Sequence, residues 1–292
     1  MIESWHEIGA AIAAATGTSP GILRSEPVSG GCINDAYLCR GTHATYFVKT
    51  NSPPHLDHFE AESASLEAIA STGTIRVPRS IASGIAGGTA FLVLEALQLT
   101  GGSSPASYAA MGAQLADLHS CLSPDGRFGW HRDNAIGGTP QRNPWCPDWP
   151  TFYARHRLAP QLELADAAGF HFPGAAELIE RVPSFFEGIS PQPALLHGDL
   201  WSGNAAIDDS GTPVVFDPAS YYGDPETDLA FTRLFGGFPP EFYAAYDAAL
   251  PPLPGRDART TLYNLYHVLN HANLFGGSYA TQANHLIQQL IA

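Results

Sequence analysis

Short apolar runs that end in polar or charged residues dominate the pattern of this chain. Thr45–Lys49 has an apolar centre between a polar residue and a charged one, and Phe91–Leu94 is apolar throughout. Ala194–Leu196 and Pro213–Phe216 lie in the second half of the chain, next to glycines, prolines and aspartates. Runs of this length between turn residues are typical of buried β-strands. We therefore predict strands at these four places, with polar side chains where the strands end.

Two stretches in the first quarter of the chain have the period of amphipathic helices. Ser4–Glu7 has the capping-box pattern and predicts an N-terminal helix. A second helix is predicted over residues 57–71, and it places Phe59 and Leu66 on the same face as Glu62. A carboxylate on an inward face needs a cationic partner. The second helix therefore predicts an ion pair with a neighbouring element.

The best linker in the chain is Gln98–Pro105, which is rich in glycine, serine and proline. The residues before it read mostly as strands, and those after it mostly as helices. We expect an α+β, bilobal fold. A small N-terminal antiparallel sheet lobe with one internal helix would span 1–97, and a larger, mostly helical C-terminal lobe would span 98–292.

Composition narrows the classes of protein and of partner. The chain has 292 residues, a hydrophobic content of 45% and a net charge of −14. The acidic balance argues against a nucleic-acid partner, and no run of about 18 apolar residues predicts a membrane span. The N-terminus lacks the pattern of a signal peptide, and the four cysteines form no CxxC pair. We expect a globular, cytoplasmic protein whose oligomeric state the composition leaves open.

The segment HGDLWSGN, His197–Asn204, carries the strongest chemical signal. Asp199 and Asn204 are five residues apart, and Asp217 follows thirteen residues later, after an apolar run. A hairpin that returns Asp217 beside Asn204 would make one polar cluster at the mouth of a cleft. Phosphoryl transfer requires such a cluster. One carboxylate orients and deprotonates a hydroxyl, and a carboxylate with a carboxamide holds Mg²⁺ on the nucleotide phosphates.

Lys49 is the only lysine beside thirteen arginines. A compact ammonium at a strand end is a natural partner for phosphate, and it is also the partner that Glu62 lacks. We therefore predict a Lys49–Glu62 ion pair. Two alternatives stay open: a GC-rich genome that favours arginine, with Lys49 left by chance, and a Glu62 that borders the apolar face in water.

Three other segments complete a nucleotide site between the two lobes. Gly30 and Gly31 form a turn in which the backbone can approach phosphate without a Cβ. Lys49 would contact the α- and β-phosphates of ATP. The segment Glu95, Ala96 and Leu97 would offer backbone groups to the adenine edge. Gly-Gly in a turn is a weak signal by itself, whereas HGDxxxxN followed by an aspartate after a strand is a strong one.

Other motifs have simpler interpretations. Gly17–Gly21 fits GxSxG in letters, but it follows a helix rather than a strand and is not expected to be a nucleophile elbow. His267 and His271 lie at i and i+4 without the glutamate of a zinc motif, and we interpret them as ordinary helix residues. The acids of Gly223–Leu229 are interpreted as a loop that caps the next helix.

The chain resembles the fructosamine kinase (ketosamine 3-kinase) family over nearly its whole length. That family has the protein-kinase-like fold and is related to aminoglycoside phosphotransferases and choline kinases. The resemblance is carried by HGDLWSGN and by a series of further motifs: GGCIN at 30–34, FEAE at 59–62, FGW at 128–130, QRNPW at 141–145, DPA at 217–219, YGDPETDLA at 222–230, LFGGF at 234–238 and LYNLYHVLNH at 262–271.

This resemblance implies ATP-dependent, magnesium-assisted phosphorylation of the 3-hydroxyl of a ketosamine, a step in the repair of glycated amines or glycated proteins. Bacterial members of that family resemble ribulosamine and erythrulosamine kinases more than strict fructosamine kinases, so the resemblance implies a ribulosamine, an erythrulosamine or a fructosamine as the acceptor. By the resemblance, Asp199 is the base, Asn204 and Asp217 hold the metal, and Asp228 orients the catalytic loop. Trp201 and Tyr221 are the expected sugar contacts. Two alternatives remain: a kinase for an aminoglycoside, choline or homoserine-like alcohol, and a nucleotide-binding pseudokinase without turnover.

Overall fold

A five-stranded antiparallel sheet forms the centre of the N-terminal lobe. The computed structural model describes residues 4–21, 24–28, 33–99 and 104–292. The sheet has the strand order β1-β2-β3-β5-β4, and every neighbouring pair is antiparallel. Its strands are β1 (Arg24–Val28), β2 (Asp35–Arg40), β3 (Thr45–Asn51), β4 (Ser80–Ala86) and β5 (Thr89–Glu95).

Two helices cover the two faces of this sheet. Helix α1 (Ser4–Thr16) packs on the face that carries Val48 and Val93, and α2 (Leu56–Thr72) packs on the face that carries Leu92. Because side chains alternate along a strand, Lys49 points to the opposite face from Val48. Its ammonium is thereby directed toward α2, and this alternation is the local reason that the lysine reaches the helix.

The C-terminal lobe is mainly helical. Helix α9 is its longest helix, and ten of its twenty residues are buried. Its helices are α3 (Pro105–His119), α4 (Trp149–Tyr153), a π-helical segment (Ala154–Leu158), α5 (Ala159–Ala167), α6 (Ala175–Arg181), α7 (Glu226–Leu234), α8 (Pro240–Ala249), α9 (Arg256–Phe275) and α10 (Ser278–Ile291).

Three two-stranded ladders shape the side of the C-terminal lobe that faces the sheet. They are β6 (Asn134–Ile136) with β7 (Thr139–Gln141), β8 (Ala194–Leu195) with β11 (Tyr222–Gly223), and β9 (Ala205–Ile207) with β10 (Pro213–Val215). The predicted strand at Pro213–Phe216 is confirmed as β10, and its hairpin with β9 is the one the sequence predicts. The predicted helix at 57–71 is confirmed within one residue at each end.

The capping box predicted at Ser4–Glu7 is not formed. Ser4 is already helical, and its hydroxyl has no hydrogen-bond partner among the described residues. Glu7 instead accepts a hydrogen bond from the backbone N–H of Gly87, 2.8 Å away in the β4–β5 turn. A contact across 80 residues replaces the local one, because α1 is held by the sheet.

No helix in the described part of the chain has the length and apolar content to cross a membrane.

Candidate active site

Lys49 is buried and lies at the centre of a charge cluster. Its Nζ lies 2.8 and 2.9 Å from the two carboxylate oxygens of Glu62 on α2, and 2.6 Å from Oδ1 of Asp217. Burial by itself would lower the pKa of Lys49, but the two carboxylates raise it above its ordinary value. Burial raises the pKa of Glu62 above its ordinary value, against the attraction of Lys49. The ammonium stays charged and is held between the two lobes.

Asp217 has an unusual backbone that places its carboxylate in the cleft. It is the one non-glycine residue of the described chain with a positive φ, 57°, a conformation that costs an L-residue about 1–2 kcal/mol. The hairpin fixes its position, because the N–H of Phe216 donates to the carbonyl of Asn204 at 3.0 Å. The predicted return of Asp217 beside Asn204 is therefore what the structure shows.

The orientation of the Asn204 amide follows from its partners. Its Nδ2 donates to the carbonyl oxygen of Asp199 at 2.8 Å and to Oδ2 of the same residue at 3.0 Å. A carbonyl oxygen can only accept a hydrogen bond, so the nitrogen must lie on the Asp199 side. The oxygen Oδ1 of Asn204 is left as an acceptor or a metal ligand.

Asp199 is half-buried beside this amide. Burial, followed by the negative charge of Asp217, raises the pKa of the Asp199 carboxyl well above its usual range. A carboxylate with a raised pKa is a stronger base than an exposed one. Such a group is suited to take the proton of a hydroxyl.

Asp228, at the start of α7, holds the loop that carries Asp199. Its carboxylate accepts hydrogen bonds from the N–H groups of His197 at 2.7 Å and Gly198 at 2.9 Å, and it lies 3.2 Å from Nε2 of His119. Burial would raise the pKa of Asp228, but these partners lower it below its usual value. The carboxylate therefore stays ionised inside the lobe and fixes the backbone of the loop.

Two concavities meet at Trp201. The first, which we call the nucleotide cleft, has a volume of about 460 Å³, lies between the lobes and is lined by Lys49, Asn204 and Asp217. The second, the acceptor basin, has a volume of about 550 Å³ and is lined by Asp199 and by residues of α7 and α9. Trp201 lines both of them and is 37% exposed. Asp199 thus faces one of two adjoining spaces, and Asn204 and Asp217 face the other.

The end of β5 and the residues after it form part of the wall of the nucleotide cleft. Glu95 and Leu97 line it. The Glu95 carboxylate is turned to Arg76, 3.1 Å away. Among the described residues, no hydrogen bond uses the backbone groups of Ala96 or Leu97. Those backbone groups are free to form hydrogen bonds with the edge of a ligand.

Comparison with known proteins identifies the family of the chain. The model of the fructosamine kinase family matches residues 4–292. The chain belongs to the fructosamine kinase family.

Within that family, the chain is similar to a probable ketoamine kinase of Synechocystis, with 47% identity over 98% of this chain and 97% of the relative. It is also similar to a chloroplastic protein-ribulosamine 3-kinase of Oryza sativa, with 40% identity over 90% of this chain and 78% of the relative. A crystal structure of a candidate fructosamine-3-kinase from Haemophilus somnus superimposes with a TM-score of 0.92 at 30% identity, covering 99% and 98% of the two chains. The predicted α+β, bilobal kinase-like fold is confirmed.

The donor set at Asn204 and Asp217 fits a magnesium ion in this family member. Both side chains offer oxygen, the ligand atom that Mg²⁺ prefers, and Mg²⁺ takes few protein ligands because phosphates and waters supply the rest. Oδ1 of Asn204 has no hydrogen-bond donor in the described residues, and the Asp217 side chain is 45% exposed. No cluster of three or more His, Cys, Asp or Glu side chains suited to a metal occurs in the described ranges.

The structure places most, but not all, of the sequence-predicted site residues together. Lys49, Glu62 and Asp217 are in direct contact, and Asp199 contacts Asn204. Other predicted residues fall outside this group. Gly30 and Gly31 lie outside the described residues. Tyr221 is 4% exposed and lies under the guanidinium of Arg157, whose central carbon is 4.0 Å from the ring. It lines neither concavity, so the structure gives no support to its predicted contact with sugar.

Sequence reasoning missed the far wall of the acceptor basin. His267 and His271 were expected to be ordinary helix residues, yet both line this wall with Phe235. The ring of His267 stacks on Phe231 at 3.5 Å, and burial lowers its pKa to about 3. The i, i+4 spacing was the available signal, because it places both rings on one face of α9.

Proposed function

We propose that this protein transfers the γ-phosphoryl group of ATP to the 3-hydroxyl of a ketosamine. The observation that carries the proposal is the position of Asp199. It faces the acceptor basin, while Lys49 and the Asn204–Asp217 pair face the adjoining nucleotide cleft. The names of the relatives supply the acceptor class, since one is a ribulosamine 3-kinase.

Each side chain has a role that its surroundings support. Lys49 binds the α- and β-phosphates, and Glu62 holds its ammonium in place. Asp199 accepts the proton of the sugar hydroxyl, and its raised pKa favours that transfer. Asn204 and Asp217 would hold Mg²⁺, which when bound neutralises charge on the phosphates. The backbone of Glu95–Leu97 would bind the adenine edge, and Asp228 positions the loop that carries the base.

The two-lobe division and the location of the protein belong to the same proposal. We place the boundary at 97/98, with Lys49, Glu62 and the Glu95–Leu97 segment before it and the base, the metal-binding pair and the acceptor wall after it. A cytoplasmic location is supported by Cys39, Cys121 and Cys146, which are free thiols in the structure, as expected in a reducing compartment. The acceptor would be a glycated amine or a glycated protein.

The direct test is incubation with ATP, Mg²⁺ and a ribulosamine–lysine adduct. ADP release would be followed with a coupled assay, and ³¹P NMR would locate the phosphate. We expect phosphate on the 3-oxygen of the sugar and little turnover of an aminoglycoside or choline. Faster turnover of either alcohol, or nucleotide binding without ADP release on any ketosamine, would reject the proposal.

A further inference from the structure

A basic pocket lies on the C-terminal lobe, apart from both site concavities. It has a volume of about 540 Å³, within the range of small-molecule sites, and is formed by β7, the π-helical segment, α5 and α9. Arg142, Arg155 and Arg157 line it, together with one acid, Glu163. With His156 neutral, these side chains carry a net charge of +2. The pocket is thus opposite in sign to the chain as a whole, whose net charge is −14.

Arg157 is the strongest evidence that the pocket is built for a ligand. It has no exposed surface, and within the described chain no carboxylate lies within ion-pair distance of its guanidinium. Its two terminal nitrogens donate to oxygens of Arg142, Asn143 and His156, but its Nε–H has no acceptor. A buried guanidinium without a counter-charge is costly. An anion in the pocket would supply that charge.

The surroundings of Arg157 hold the guanidinium in a fixed position. Its central carbon lies 4.0 Å from the ring centre of Tyr221 and 4.7 Å from that of Phe152. The Arg157 side chain starts from the π-helical segment, a form of helix that often marks functional sites. Burial and the charges of Arg157 and Arg155 lower the pKa of His156, which is the effect expected of a positive field at the pocket.

The other lining groups indicate what an anionic ligand would carry besides its charge. Arg142 and Arg155 are exposed, so their guanidinium groups can turn to the ligand. Guanidinium binds phosphate through two parallel hydrogen bonds. Pro140, Pro160 and Leu164 give the pocket an apolar wall, and Gln161 adds a polar group. A phosphate monoester carries a charge of about −1.5 to −2 at pH 7, which matches the net charge of the pocket.

From this arrangement we propose a second ligand site, in which Arg142 and Arg155 bind the phosphate of a small organic phosphate monoester above the buried charge of Arg157. The site is separate from the nucleotide cleft, with which it shares no lining residue. It does not depend on the acceptor of the kinase reaction.

The test is isothermal titration of the full chain with ribose 5-phosphate at low ionic strength. The variant Arg142→Gln/Arg155→Gln removes two exposed charges. Arg24→Gln/Arg40→Gln is the matched control, because it also removes two exposed arginines, which lie opposite each other on the neighbouring strands β1 and β2. We expect binding to the wild type and to the control, at least tenfold weaker binding to the first variant, and unchanged thermal unfolding in all three.

Two other ligands test the chemistry of the site. Ribose should not bind, and gluconate, with a single carboxylate charge, should bind more weakly than the phosphate ester. Equal affinity of ribose 5-phosphate for both double variants would show that it binds elsewhere, for instance in the nucleotide cleft, and would overturn the proposal. No binding to the wild type up to millimolar concentration would overturn it as well.

Discussion

Replacement of Asp199 by asparagine separates base catalysis from the shape of the site. The Nδ2 of Asn204 donates to a side-chain oxygen of Asp199 at 3.0 Å and to its carbonyl at 2.8 Å. In Asp199→Asn, the amide oxygen can accept the first of these hydrogen bonds and the backbone keeps the second. The variant therefore keeps the geometry of the loop and loses only the group that can take a proton.

The magnitude follows from the role of the group. A positioned general base contributes about 10²–10⁴-fold to the rate, which is about 2.7–5.4 kcal/mol of activation free energy. We expect kcat to fall by at least about a hundredfold on this basis. The KM for ATP should stay nearly unchanged, because Asp199 lines the acceptor basin and does not line the nucleotide cleft. Asp199 is partly desolvated and lies near the negative charge of Asp217. Loss of its carboxylate should therefore not lower the thermal unfolding temperature.

The assay is steady-state ADP release with a ribulosamine–lysine adduct, with kcat and both KM values determined separately. Asp209→Asn is the matched control, since it makes the same change at an exposed residue of the β9–β10 turn. Its kinetics should equal those of the wild type. A kcat for Asp199→Asn within about threefold of wild type would refute the assignment of the base, given the expected loss.

Three further predictions concern the phosphate contact, the loop and acid stability. Lys49→Met should raise the KM for ATP at least tenfold, while the KM for the acceptor stays nearly unchanged. If the initial rates depend on ATP concentration as in the wild type, Lys49 does not bind the phosphates. Gly198→Ala should lower the free energy of unfolding by more than about 2 kcal/mol, since φ is +84° and a Cβ would lie 2.1 Å from the carbonyl oxygen of Ala219. The control Gly211→Ala, with φ +83° and open space around it, should lower it by only about 1 kcal/mol. Equal losses of the two variants in urea unfolding would contradict the steric argument. The pKa of His267 in the folded chain is about 3, so below pH 7 the unfolded chain binds a proton that the folded chain does not. Between pH 7 and pH 5, the wild type should therefore lose about 2 kcal/mol more unfolding free energy than His267→Gln. Parallel pH profiles of the two proteins would show that the imidazole is not held neutral.

The sequence predicts the parts of the site that local pattern controls. Asn204 and Asp217 flank one hairpin, and the apolar run between them specifies it. Lys49 and Glu62 meet because strand alternation and helical period point them toward each other. Both predictions depend only on elements that are neighbours along the chain, and the structure shows both the hairpin and the ion pair.

The parts that the sequence did not predict depend on packing between distant elements. Glu7 was expected to cap its own helix, but it bonds to Gly87 because the sheet holds α1. Tyr221 lies only four residues from Asp217, yet Arg157 and Phe152 enclose its ring. His267 reaches the basin because α9 packs beside α7. Periodicity gives the face of a helix, but it does not say which cavity that face meets.

The most direct test of the account is a crystal structure of the protein with AMP-PNP, Mg²⁺ and a ribulosamine adduct. It should show phosphate oxygens at about 3 Å from Nζ of Lys49, the metal between Oδ1 of Asn204 and Asp217, and the 3-hydroxyl within about 3.2 Å of Asp199. A nucleotide bound outside the cleft, or a 3-hydroxyl whose nearest base is a residue other than Asp199, would contradict it.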